Sequence, residues 1–213
     1  GEIGTPRLVW CKEFRSRFHP KIDNWIQDRN RSGGALVDKN CHHFDLMNWW
    51  LGRRPTSVAA YGGTDAVHVL NTDDEIEDNA TVIVDYSRQA RVTLLLCMMA
   101  PMGIPESLEF GIFGDRGFLQ TTVSKHEIMV ICRESPEDVE ERDRMLHNRR
   151  QGSPSTTRYV PPLKDGLGGH SGMLEMHRAF HDAIRGGHPP LTEVRRCLDG
   201  TLIPIAAMES MAS

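Results

Sequence analysis

Five apolar segments, residues 79–86, 90–99, 107–113, 118–123 and 126–132, follow one another, most of them across turns as short as Ser87-Arg88-Gln89, Gly114-Asp115-Arg116-Gly117 and Ser124-Lys125. Turns of that size join neighbouring antiparallel strands, whereas parallel strands need a crossover of a dozen residues or more. The middle of the chain is therefore expected to be an antiparallel meander. Segment 92–99, Val-Thr-Leu-Leu-Leu-Cys-Met-Met, is apolar on both faces, so the sheet needs cover on its second side. In a chain with few helices, that cover is expected from another protein chain.

Upstream, residues 7–18 interleave β-branched and aromatic side chains with charge, which suits a first strand with one wet face. Residues 19–31, with Pro20, Asn24, Asp28 and Asn30, read as a polar loop. Trp25 within it is a candidate substrate contact, the alternative being that it plugs the domain. Residues 56–66 alternate like a strand, and 71–78 form an acidic turn region. Downstream, Ser135-Pro136-Glu137-Asp138 opens a charged surface helix over 134–151, 152–167 reads as a loop, and 173–185 is helical. A last helix over 193–211 is expected to be capped by Thr192 and kinked or interrupted by Pro204.

The chemistry-bearing stretch lies between the Gly33-Gly34 pair and Gly52, a C-terminal capping glycine for a helix over residues 36–51. On that helix Asp38, His42, Asp45 and Trp49 fall at i, i+4, i+7 and i+11, one stripe, while Leu36, Phe44, Met47 and Leu51 face a core. A carboxylate one turn before an imidazole can accept from one ring nitrogen and leave the other free to take a proton from a substrate. Asp38 and His42 fit those roles, and an incidental surface pair is the alternative. A metal site built from Asp38, Cys41, His42, His43 and Asp45 is disfavoured, because adjacent helical residues point about 100° apart.

The run Gly33-Gly34-Ala35-Leu36-Val37-Asp38-Lys39-Asn40-Cys41-His42-His43-Phe44-Asp45-Leu46-Met47-Asn48-Trp49-Trp50-Leu51-Gly52 resembles a motif of the glucose-fructose oxidoreductase, inositol dehydrogenase and MocA family of nicotinamide-dependent oxidoreductases. The motif, from the family's C-terminal domain, is a Gly pair, an Asp, three residues, a His, two residues and an Asp, matched by Asp38, His42 and Asp45. Gly1-Glu2-Ile3-Gly4-Thr5-Pro6 is similar to the way the family's chain enters this domain. Gly169-His170-Ser171-Gly172, Ala179-Phe180 and Arg185-Gly186-Gly187-His188-Pro189-Pro190 are similar to the way it leaves.

The resemblance implies an α+β fold, a large predominantly antiparallel sheet with helices packed on one face, like the C-terminal domain of glyceraldehyde-3-phosphate dehydrogenase. It implies hydride transfer between NAD or NADP and a sugar or polyol, with His42 as general base oriented by Asp38, and homo-dimers or tetramers built through the open sheet face. Lys39 is then a polar contact to the sugar, the alternative being that it faces solvent, and it puts a charge where the family often has small or varied residues. His170, ahead of helix 173–185, can reach the mouth of the pocket, and Asp45 makes a structural hydrogen bond. Family members bind the dinucleotide on an N-terminal domain that carries Gly-x-Gly-x-x-Gly and a Glu-Lys-Pro lysine, and neither occurs here. Residues 1–213 are thus expected to be a single substrate-binding and oligomerisation domain, inactive by itself, with the cofactor held mainly outside this chain.

A net charge of -4 argues against a general nucleic-acid surface. Cys11, Cys41, Cys97, Cys132 and Cys197 are scattered, without a Cys-x-x-Cys pair, which points to a reduced cytoplasmic protein. Neither a signal sequence nor an apolar run of about 18 residues is present, so no membrane partner is expected. A start at Gly1 suggests a piece of a longer chain. Gly166 to Gly172 lacks the spacing of a dinucleotide loop. Two other functions fit these residues: a non-catalytic binding or assembly module of the same fold, and a metal-dependent hydrolase using the His177 and His181 pair.

Overall fold

Alternation between buried and exposed side chains builds one sheet, and the structure, a computed structural model, describes residues 1–19, 21–66, 76–101, 107–123, 127–132, 155–160 and 172–213. Its strands are β1 (Pro6–Phe14), β2 (Ser57–Gly63), β3 (Asn79–Tyr86), β4 (Ala90–Cys97), β5 (Ser107–Gly114), β6 (Gly117–Thr122), β7 (Glu127–Cys132) and β8 (Ser155–Tyr159). They lie in the order β2-β3-β4-β1-β5-β6-β7-β8. Every neighbouring pair is antiparallel except β1 and β4, which run parallel from Leu8 opposite Arg91 to Phe14 opposite Cys97.

The expected meander is therefore split. β1 sits between β4 and β5, so the connection after β4 must step over one strand, a distance of about 10 Å. That connection is the one in the meander too long to be a tight hairpin. The hairpin from β3 to β4 keeps its short turn, Ser87-Arg88-Gln89 between the paired Tyr86 and Ala90: Ser87 and Arg88 both take positive φ, 54° and 61°, and Gln89 N–H donates to the Tyr86 carbonyl at 3.0 Å. This is the mirror-image turn whose twist matches that of the strands.

Two strand boundaries differ from expectation. β1 ends at Phe14, and its charged residue Glu13 is fully buried on the core face, where a wet face had been the expectation for charge. β8 forms within the segment read as a loop; Thr156, Thr157 and Tyr159 are good strand formers, and pairing with β7 supplies the hydrogen bonds.

Helices cover one face. A 3-10 turn (Ile22–Asn24) and α1 (Arg29–Ser32) lie within the expected polar loop. The helix expected over 36–51 comes in two parts, a π-helical turn (Leu36–Asn40) running into α2 (Cys41–Leu51), which Gly52 closes in the left-handed conformation. Further on come α3 (Met173–Ile184) and α4 (Val194–Ala212). α4 packs on both α2 and β2. A Cβ on Gly200 of α4 would lie 2.9 Å from that of Asp45, so this glycine allows the close crossing.

α4 does not stop at Pro204, which is buried inside it; packing on two elements holds the helix together past the lost backbone bond. Nor does Thr192 cap it. The Glu193 carbonyl accepts from Arg196 and Cys197 N–H, so the cap position falls one residue later.

Val9 and Cys11 of β1, Val82 and Val84 of β3, Val92 and Leu94 of β4, and Phe110 of β5 form the sheet side of the core. Leu36, Phe44, Met47, Ile203 and Ala207 close it from the helices. On the sheet's other face Leu8, Phe14, Ile83, Leu95 and Phe113 stay exposed. The expected helix over 134–151, the glycine-rich 166–171 and most of the acidic turn lie outside the described residues.

Candidate active site

Glycines start the site. Gly33 ends α1 with φ 79°, and Gly34 follows with φ 88°, a conformation that L side chains rarely adopt. A Cβ on Gly34 would stand 2.6 Å from Glu77 Oε2. That space matters because the Glu77 carboxylate, wholly buried, accepts from Ala35 N–H at 2.9 Å and pairs with Arg29 Nη2 at 3.0 Å. A carboxylate from a distant segment thus takes one of the unsatisfied N–H groups at the helix start, where the helix dipole also favours negative charge.

The outer stripe of the helix is polar and open, as the spacing predicts. Asp38 and Lys39 are half-buried in the π-helical turn, His42 is exposed, Asp45 is half-buried and Trp49 exposed. Asp38 and His42 share one side, but among the described residues no hydrogen bond joins their side chains. Their pairing is one of shared face. Asp45 lies against α4 beside Gly200, close enough for its carboxylate to act on the Cys197 thiol. Burial pushes the Cys197 thiol up, and Asp45 adds to the shift; burial also raises Cys41, with Asp38 and Asp45 adding. Protonated thiols at these positions are poor nucleophiles and poor metal ligands.

Of the other sequence-derived candidates, Trp25 is half-buried, packs against the core and lies under Lys21, whose Nζ is 5.3 Å from the ring centroid. His170 falls outside the described residues. His177 and His181 are exposed on α3, and His181 Nδ1 is 3.3 Å from Asp182 of the same helix. Among the described residues no three His, Cys, Asp or Glu side chains are grouped to hold a metal ion.

Sequence reasoning gave no buried role to the polar residues beneath the helix, weighing His43 only as a metal ligand. Asn40 and His43 are buried on the inner stripe between Leu36 and Met47, at core positions. Asn40 Nδ2 lies 2.8 Å from Glu13 Oε2 and 2.9 Å from His43 Nδ1; His43 Nδ1 is 3.3 Å from the same carboxylate oxygen, and Arg15 Nη1 is 3.3 Å from the other. The Asn40 amide nitrogen donates to the carboxylate, and His43 Nδ1 stands within reach of both groups. The signal that reveals them is register: 36, 40, 43, 44, 47 and 51 form a regular buried stripe with two polar members.

The pattern of the family described as "Oxidoreductase family, C-terminal alpha/beta domain", that of glucose-fructose oxidoreductase, inositol dehydrogenase and MocA, matches residues 1–213. The chain belongs to that family. A Bacillus subtilis (strain 168) protein, YteT, named as an oxidoreductase, is 58% identical over 64 residues, which cover 29% of this chain and 15% of YteT. Among solved structures, an NAD binding oxidoreductase from Klebsiella pneumoniae superposes with a TM-score of 0.75 at 18% identity, covering 100% of this chain and 58% of that one. Levoglucosan dehydrogenase, in complex with NADH and levoglucosan, gives 0.73 at 16% identity, with coverage of 100% and 58%. The chain therefore spans little more than half the length of these solved relatives, and it has the fold of their C-terminal α/β domain.

The donors present fit part of what such a protein binds. An exposed imidazole, a half-buried carboxylate and an ammonium suit hydroxyl groups, while the sequence holds no Gly-x-Gly-x-x-Gly run to cradle a pyrophosphate.

Proposed function

We propose that this chain is the substrate-binding and oligomerisation domain, residues 1–213, of an NAD- or NADP-dependent dehydrogenase acting on a sugar or polyol. The observation that carries the reading is the exposed His42, one turn from Asp38 on the open side of a helix anchored in the core. The nicotinamide, when bound, supplies the hydride acceptor, and it is held mainly by a domain outside this chain.

In this reading His42 takes the hydroxyl proton as the carbon gives up its hydride, which requires hydrogen-bond reach and an imidazole that is neutral beforehand. Asp38 orients the ring and stabilises the imidazolium once the proton has arrived, as carboxylates beside catalytic histidines do. Lys39 binds a neighbouring hydroxyl, and Trp25 and His170 border the sugar. The sugar or polyol class is supported by the family and by the ligand named with levoglucosan dehydrogenase.

The exposed apolar face of the sheet is the surface through which copies associate as dimers or tetramers. No described helix is long and apolar enough to cross a membrane. The scattering of the cysteines along the sequence, without a Cys-x-x-Cys pair, supports a cytoplasmic location.

The test is an assay of the full-length protein with NAD+ and NADP+ against myo-inositol, D-glucose, levoglucosan and related polyols, following reduced nicotinamide. Reduction with at least one member, unaffected by a chelator, is the expected result. No reduction across the panel would overturn the substrate class, and chelator-sensitive hydrolysis instead would overturn the reaction.

A further inference from the structure

Buried carboxylates anchor the turn that carries Asp38 at both of its ends. At the start, Glu77 holds the Ala35 N–H at 2.9 Å. Five residues on, Asn40 Nδ2 reaches Glu13 Oε2 at 2.8 Å. Asp38 and Lys39 lie between these anchors, in the π-helical turn, a geometry often found at functional sites. The following turn is pinned as well: His43 contacts both Asn40 and Glu13, and its ring meets Phe110 edge-on with centroids 5.7 Å apart.

Nothing about filling space requires polar residues here. Leu36, Phe44, Met47 and Leu51 fill the same stripe with apolar side chains, and a wholly apolar stripe would avoid burying a carboxylate. Among the described residues Asn40 Oδ1 is buried without a hydrogen-bond partner, so the amide is oriented by what its nitrogen donates to. Directional bonds fix the rotation and height of a helix, where apolar packing tolerates repacking.

We propose that Glu13, Asn40 and His43 are positioning residues for Asp38 and His42: the inner contacts set the roll of the helix, and the roll sets where the outer pair points. The proposal rests on the reading of His42 as the base. Asn40 stands two residues after Asp38, and His43 directly follows His42, so inner and outer groups turn through the same angle. A side-chain tip about 6 Å from the helix axis moves about 1 Å for a 10° roll. A misplacement of about 1 Å costs about 100-fold in rate.

The test uses the full-length protein, NAD+, and myo-inositol, D-glucose and levoglucosan as probes. Glu13→Leu removes the carboxylate, Glu13→Gln restores an acceptor oxygen, and His43→Phe keeps a ring without its nitrogens. Glu13→Leu and His43→Phe are expected to lower kcat by about 10- to 100-fold while KM stays within about threefold, with Glu13→Gln recovering much of the loss. A purely structural role would lower Tm and leave kcat of the folded protein alone.

His42→Asn is the companion control. Loss of turnover in His42→Asn together with wild-type kcat in Glu13→Leu and His43→Phe would overturn the positioning role and leave the base standing. Full turnover in His42→Asn would overturn the base, and the positioning role with it. Should Glu13→Leu fail to fold, or no probe be oxidised, histidine-labelled NMR of His43→Phe decides: the His42 ring resonances are expected to move, and a His42 signal unchanged from wild type would overturn the proposal.

Discussion

Gly34 and Gly52 flank the same helical segment, and both have positive φ, 88° and 59°, but their surroundings differ. Replacing either with alanine forces an L side chain into a left-handed conformation, which costs about 1–2 kcal/mol. At Gly52 that is the whole cost, because nothing lies within 4 Å of the added Cβ. At Gly34 the Cβ would stand 2.6 Å from Glu77 Oε2, so the carboxylate must leave the Ala35 N–H. A hydrogen bond to a charged group contributes about 1.5–3 kcal/mol, so Gly34→Ala should cost roughly 2.5–5 kcal/mol in all. Urea unfolding of both variants reads the difference, since any gain from stiffening the unfolded chain is common to the two. In a Glu77→Ala background the cost of Gly34→Ala should fall back to about 1–2 kcal/mol, a coupling that a double-mutant cycle isolates. Equal destabilisation at the two glycines, or strict additivity with Glu77→Ala, would refute the idea that this carboxylate holds the start of the helix.

Three further outcomes follow from the structure. Arg54 donates to both carboxylate oxygens of Asp199 at 2.7 Å, and that guanidinium holds Asp199 below the usual carboxylate range. A lowered folded-state value means stability that is present above the unfolded value of about 3.9 and lost as pH falls through the folded one. The Tm difference between wild type and Asp199→Asn should therefore be small at neutral pH, since the Arg54 side of the pair is open to solvent, and shrink as pH falls below the unfolded value; a difference that persists unchanged in acid would contradict the assignment. Arg88→Gly relieves a positive φ in the β3 to β4 turn and should stabilise by about 1 kcal/mol, read by urea unfolding, whereas destabilisation would argue against the mirror-image turn. Leu95→Glu, on the open sheet face, should leave the far-UV circular dichroism unchanged and reduce the sedimenting mass to that of a monomer; an unchanged oligomer would place the interface elsewhere.

The elements most legible in the sequence were those governed by local patterning. Buried side chains alternate along β3 and β4 as the period of two requires, and the stripe from Asp38 to Trp49 stays open as 3.6-residue periodicity requires. Long-range pairing was not legible: nothing local to residues 6–14 says that this strand runs parallel to β4 or sits between it and β5. Glu13 is hidden for the same reason, because a charged residue reads as wet until Asn40 of the π-helical turn and His43 of α2 are brought to it, beside the neighbouring Arg15. The capping of Ala35 by Glu77 spans 42 residues of chain and leaves no local trace. Pro204 shows packing overriding a strong local breaker.

The account stands on His42, and turnover by the His42→Ala variant of the full-length protein measures its role most directly. The side chain is exposed, so the variant should fold with a Tm close to that of wild type, while kcat for polyol oxidation should fall by about 100- to 10,000-fold, the contribution of a positioned general base. A folded His42→Ala protein with kcat within twofold of wild type would contradict the assignment.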